Sequence, residues 1–157
     1  MKKYELTSDT KIVFGHILYR IKALSSFGCV SAGDLGGFLE SEKNLSQNGD
    51  AWVYGNAEVY GNAEVYGNAR VYGNAEVSKI GSIFWIGAVG SRNDTATFFR
   101  CTDGVVRVTC GCFFGNLDEF AKKVRKTHGD NDHAKVYMLA IDMAKIRIST
   151  EKEKTEE

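Results

Sequence analysis

Val53-Tyr-Gly-Asn-Ala-Glu-Val-Tyr-Gly-Asn-Ala-Glu-Val-Tyr-Gly-Asn-Ala-Arg-Val-Tyr-Gly-Asn-Ala-Glu76 is one hexapeptide written four times. A period of six predicts parallel coiling in which three units complete a turn and residues eighteen apart become neighbours. The rival reading is an antiparallel meander, because Gly-Asn is also a two-residue hairpin turn. In such a meander Tyr60 faces Ala63, Val59 faces Glu64 and Glu58 faces Val65, so both faces of the sheet mix apolar and charged side chains. Neither face could then be buried. Parallel coiling instead stacks Val53 on Val71 and Val59 on Val77, with alanines filling the corners of a dry interior.

The same spacing places Tyr54 over Tyr72, Trp52 over Arg70 and Glu58 over Glu76 on the outside. Aromatic stacking and a cation–π pair favour the first two, while two stacked carboxylates need solvent. Trp52, Tyr54, Arg70 and Tyr72 are therefore the candidate surface for a protein partner, although tyrosine also suits any strand surface. Gly and Asn stand where the chain must turn through unusual dihedrals.

The flanks read differently. Residues 1–28 form an N-terminal β unit, with strands at 11–14 and 17–24 joined at Gly15-His16, and residues 29–81 form the repeat region with an irregular start. Ala32-Gly-Asp-Leu-Gly-Gly-Phe38 is rich in glycine, but no Gly-Lys-Ser/Thr follows, so a phosphate loop is rejected. Residues 82–148 form an α+β lobe. A strand from Ser82 to Val89 precedes a hairpin of Thr95–Cys101 and Val105–Phe113 turned at Asp103-Gly104. Asn116 caps a first helix, with Glu119 completing the box and Gly129 ending it. A second helix from Asp132 to Ile148 turns Val136, Leu139, Ala140, Met143 and Ile146 or Ala144 inward. The Lys- and Glu-rich tail, 149–157, has no apolar residue and is expected to be disordered.

The repeat resembles the hexapeptide proteins of the left-handed β-helix class, over about a third of the chain. That resemblance implies a mainly β fold: a short left-handed parallel β-helix of about two coils, capped by the N-terminal β unit and by the C-terminal hairpin with its two helices. It also implies a homo-oligomer, a trimer in particular, because so short a prism buries little on its own. Together with Asp34-Leu-Gly-Gly-Phe38, Gly90-Ser-Arg-Asn-Asp94, Cys110-Gly-Cys112 and Thr127-His-Gly-Asp130, the repeat is similar to small proteins of bacteriophages and prophages. A phage-encoded product is expected in the cytoplasm of its host, where it would act on a host component or sequester a phosphorylated, nucleotide-like signal to counter host defence.

Composition narrows the chemistry. Twenty basic side chains balance twenty acidic ones in 157 residues, which excludes the positive field of a general nucleic-acid binder. No apolar run approaches the length of a membrane span, and no signal peptide follows Met1-Lys-Lys3. The four cysteines, Cys29, Cys101, Cys110 and Cys112, read as free thiols, and Cys110-Gly-Cys112 lacks the second pair a zinc site needs. His128-Gly-Asp-Asn-Asp-His133 reads as a helix stop followed by a polar cap, not as a metal site. No metal or cofactor is expected.

Three function classes remain. Acyl transfer, the activity of the best-known hexapeptide proteins, uses a histidine base near the prism. Here none occurs between Ile17 and Thr127, and tyrosine occupies the position where that family has a small or acidic residue. An assembly or virion part is the purely structural alternative. A binding protein without enzymatic activity is favoured by the C-terminal hairpin, in which Asp103-Gly104 sets Arg100 opposite Arg107. Two opposed guanidinium groups are either solvated or hold an anion, and Arg92 and Asn93 in the preceding loop extend the cluster. Arg92, Asn93, Arg100 and Arg107 are accordingly the candidate ligand-binding residues, for a small anionic nucleotide-like molecule.

Overall fold

The computed structural model describes residues 1–148. In chain order the elements are β1 (Tyr4–Val13), β2 (His16–Ala23), β3 (Leu35–Leu39), β4 (Trp52–Val53), β5 (Glu58–Val59), β6 (Arg70–Val71), β7 (Glu76–Val77), β8 (Ile83–Val89), β9 (Asp94–Arg100), β10 (Val106–Cys110), β11 (Phe113–Asn116), α1 (Leu117–His128) and α2 (Asp132–Arg147). Strands β1-β2-β3-β5-β7 form a mixed sheet, β4 and β6 form a two-stranded parallel one, and β11-β10-β9-β8 form an antiparallel sheet. The tail at 149–157 lies outside the described residues.

The protein is thus mainly β with two C-terminal helices, but it is not arranged as the left-handed parallel β-helix expected from the repeat. Parallel pairs are few: β3/β5, β4/β6 and β5/β7 join only two residue pairs each, whereas the long ladders, β1/β2 and the four-stranded sheet, are antiparallel. The cause is local. Each hexapeptide turns at its Gly-Asn and leaves only two residues extended, too short a ladder to organise the chain, while the flanks carry strands of up to ten residues.

The eighteen-residue register is nevertheless observed, with Val53 paired to Val71 and Val59 to Val77. Val53, Val59, Val65, Val71 and Val77 and the intervening Ala57, Ala63, Ala69 and Ala75 are fully buried in one core. The repeat glycines, Gly55, Gly61, Gly67 and Gly73, lie at φ +58 to +66, the left-handed region that lets the chain turn after each tyrosine. The Glu58–Glu76 stack is relieved on both sides. Lys11 Nζ reaches Glu58 at 2.6 Å, and the Tyr60 hydroxyl donates to Glu76 at 3.0 Å.

The N-terminal hairpin turns at Phe14-Gly15, one residue earlier than expected, with Val13 opposite His16. The antiparallel sheet separates two cores. Along β9, Ala96 and Phe98 point toward the helices, whereas Phe99 joins the repeat core, and Thr97 accepts from the Arg70 amide on that same side. Helix α1 begins as its sequence dictates: Asn116 Oδ1 accepts from the Glu119 amide at 2.8 Å, and the Glu119 carboxylate accepts from the Asn116 amide. It ends at Gly129, φ +65.

Helix α2 departs from expectation in its orientation. Ala134, Tyr137, Ala140, Ile141 and Ala144 are buried, while Val136, Leu139, Met143 and Ile146 face outward. Two apolar stripes run along this helix, and the one carrying the small residues is the one that fits against the sheet.

Candidate functional site

Four segments distant in sequence converge on one cleft of about 380 Å³. The β8–β9 turn supplies Ser91, Arg92 and Asp94. The β10–β11 turn supplies Cys110, Gly111, Cys112 and Phe113. Helix α1 contributes Phe120, Lys123, Val124, Thr127 and His128, which its 3.6-residue period sets on a single face, and α2 contributes Tyr137. Phe120 and Val124 anchor that face in the core, so that Lys123, Thr127 and His128 stand at a fixed height along the cleft wall.

The floor is tightly built. The Tyr137 hydroxyl donates to the Val89 carbonyl at 3.5 Å and lies 3.8 Å from Cys110 Sγ. Its ring stacks on His128 with centroids 5.9 Å apart and packs edge-on against Phe120. Burial pushes both the Cys110 thiol and the Tyr137 phenol up, so that both are neutral near pH 7. A protonated thiol is a poor nucleophile, and the cleft is better equipped to bind than to attack. At its rim stand two basic side chains, Arg92 and Lys123, the hydroxyls of Ser91 and Thr127, and one carboxylate, Asp94. Among the described residues no group of three His, Cys, Asp or Glu side chains gathers as a metal site.

Of the residues expected from sequence to form an anion site, only Arg92 lines this cleft. Its neighbour Asn93 is a turn residue instead, at φ +51, with its amide donating to the Gly90 carbonyl. Arg100 and Arg107 are not opposite one another. Arg100 pairs with Val106, and Arg107 pairs with Phe99. The connection has three residues, Thr102-Asp103-Gly104, closed by the Cys101 amide on the Val105 carbonyl with Gly104 at φ +79. That slips the register by one residue from a two-residue turn and sends the two arginines to opposite faces of the sheet.

Arg107 is already occupied. It grips Asp103 through both carboxylate oxygens at 2.9 and 2.8 Å, and this fork holds the Asp103 carboxyl down at about 2. Arg100, at the far end of β9 from the cleft, is only 4% exposed, and its Nε donates to no acceptor among the described residues.

The repeat surface is also redistributed. Trp52 is buried, with Tyr4 and Phe27 packed edge-on against it, because the N-terminal hairpin covers the face it was expected to expose. It is core, not partner surface. Tyr54 and Tyr72 stack with centroids 4.2 Å apart and planes within 4° and stay partly exposed, with Phe114 beside Tyr72. Arg70, also partly exposed, pairs with Trp52 in backbone register. Of the histidines, His16 pairs with Glu40 and lies against Tyr60, and His133 adjoins His128.

In the sequence Gly90-Ser-Arg-Asn-Asp94, Cys110-Gly-Cys112 and Thr127-His-Gly-Asp130 belong together only as parts of the phage-like pattern, and nothing there places them around one cleft. Lys123, Thr127 and Tyr137 were missed as site residues. The available signal was helical: positions 120, 123, 124, 127 and 128 share one face of α1 and change along it from apolar to polar. No helix among the described residues is long and apolar enough to cross a membrane. No protein-family model and no curated protein matches this chain.

Proposed function

We propose that this is a binding protein without catalytic activity, whose cleft between the β8–β9 turn, the β10–β11 turn and α1 holds a small phosphorylated, nucleotide-like molecule. The observation that carries this reading is the presence of Arg92, Lys123 and His128 on the walls of one cleft with a single opposing carboxylate, Asp94. Guanidinium and ammonium groups bind phosphate oxygens through charge-assisted hydrogen bonds, and Ser91 and Thr127 add neutral donors. Phe113, Phe120 and Tyr137 provide an apolar side for a planar group. Held without turnover, such a ligand is withdrawn from circulation, and sequestration of a phosphorylated signal is the role that follows.

The test is a calorimetric and thermal-shift screen with inorganic phosphate, mononucleotides and cyclic dinucleotides. A ligand of this class should raise the melting temperature, with an affinity that falls as salt is added. Arg92→Ala and Lys123→Ala should each weaken it about tenfold or more while leaving the unliganded melting temperature in place, since both side chains are exposed. Equal affinity in the wild type and both variants would remove the cleft from the binding site, and turnover of a bound nucleotide would replace binding with catalysis.

A further inference from the structure

Helix α2 is apolar on two sides, and only one of them is packed among the described residues. Tyr137, Ala140, Ile141 and Ala144 pack into the core, while Val136, Leu139, Met143 and Ile146 are 40, 63, 48 and 87% exposed. A helix that lies on a domain surface needs one apolar stripe, and a second calls for a second neighbour. The exposed residues are separated by three, four and three positions, the alternation that keeps a seam facing another helix over two heptads.

We propose that this stripe is the seam of a homodimer in which the α2 helices of two copies run parallel. Val136 and Met143 then occupy one core position of the heptad, Leu139 and Ile146 the other, and each layer pairs a residue with its own copy across the twofold axis. The flanking charges select this occupant and this direction. By heptad register Asp142 and Arg147 flank the seam on its two sides, five residues apart, at the positions that meet between parallel helices, and in the single chain the Arg147 guanidinium lies near Gly81. Both are exposed, and neither forms an ion pair with a described residue. Two Asp142–Arg147 pairs, one on each side of the axis, close the seam from this chain's own residues. An antiparallel pair keeping the same four layers would instead bring Asp142 against its own copy and repel. With four layers over about 15 Å the contact is small, and association is expected in the micromolar range or weaker.

Sedimentation equilibrium of the full chain from about 1 to 500 µM should show the mass climbing toward twice 17.3 kDa. Leu139→Lys and Ile146→Lys should hold it at the monomer mass with the melting temperature at low concentration unchanged, because both side chains are mostly exposed in the single chain. Asp142→Arg should raise the dissociation constant roughly fivefold, and Asp142→Arg with Arg147→Asp should restore it. In a Cys29→Ser, Cys112→Ser background, Leu139→Cys should cross-link to its own copy under mild oxidation. A wild-type monomer at the highest concentration overturns the proposal. So does a dimer indifferent to both lysine variants. Cross-linking only between Leu139→Cys and Met143→Cys chains overturns the parallel pairing.

Discussion

A Cβ placed on Gly90 would lie 1.9 Å from the Tyr137 hydroxyl, so the β8–β9 turn and helix α2 meet at the floor of the cleft with no room for a side chain. Gly90 also sits at φ +74, where an alanine is strained whatever the space. Gly90→Ala should therefore cost about 1–3 kcal/mol and displace the Tyr137 ring from His128. Removing the hydroxyl as well relieves part of the clash, so Gly90→Ala with Tyr137→Phe should lose less than the sum of the single variants. Urea denaturation of the four proteins measures this, and strict additivity would show that the two groups do not touch.

Arg100 gives a prediction of opposite sign. The Arg100 Nε is buried with no acceptor among the described residues, and that one donor carries an uncompensated desolvation penalty. Arg100→Met keeps the length of the side chain and removes the polar group, and should stabilise the fold by about 1–3 kcal/mol in denaturant titration. A loss of stability would mean that the guanidinium has found a partner in solution.

Lys3 ties pH to stability. Its ammonium is buried and donates to the carbonyls of Gly49 and Ala51, and burial pulls it from its ordinary value of 10.5 down to about 8, partly opposed by Asp50. Between about 8 and 10.5 the unfolded chain therefore binds more protons than the folded one, and this group makes stability rise with pH across that window. Burial raises Tyr4 and Tyr54 instead, which lowers stability above about 10, where the unfolded phenols ionise. The informative quantity is the difference between wild type and Lys3→Met. It should grow from pH 8 to 10, and parallel curves would refute the assignment.

The interior of the repeat tolerates no charge. Val71 is fully buried opposite Val53, so Val71→Asp sets an unpaired carboxylate in a dry core at a cost of several kcal/mol, a large share of the stability of a domain this size. Circular dichroism should show loss of the folded state, while Asn68→Asp, on the exposed side of the same repeat, should leave the spectrum and melting temperature nearly unchanged.

Much of this structure could be read from short-range pattern. The buried valines and alanines, the eighteen-residue pairing and both ends of α1 follow from period, size and capping chemistry within a few residues. What could not be read depends on competition between segments. Two-residue steps such as Glu58-Val59 pair in parallel, but the longer N-terminal and C-terminal strands dictate the sheets. One residue more in the turn between Cys101 and Val105 reverses which face Arg107 takes, and no composition rule separates the two turns. On α2 the residues of greatest apolar bulk looked inward-facing by pattern, yet Ala140 and Ala144 permit the close approach to the sheet. The cleft joins two turns and two helix faces that no local signal connects.

Strand β9 has an implication for how the molecule comes apart. Phe98 and Phe99, adjacent in the chain, belong to different cores, so one backbone serves as the wall of both. Loosening either side frees a residue that the other side depends on, and the repeats and helices should melt in a single calorimetric transition whose van't Hoff and measured enthalpies agree. Evolution faces the same constraint: a recombination event that exchanged the helical end for another would have to bring a replacement wall with it.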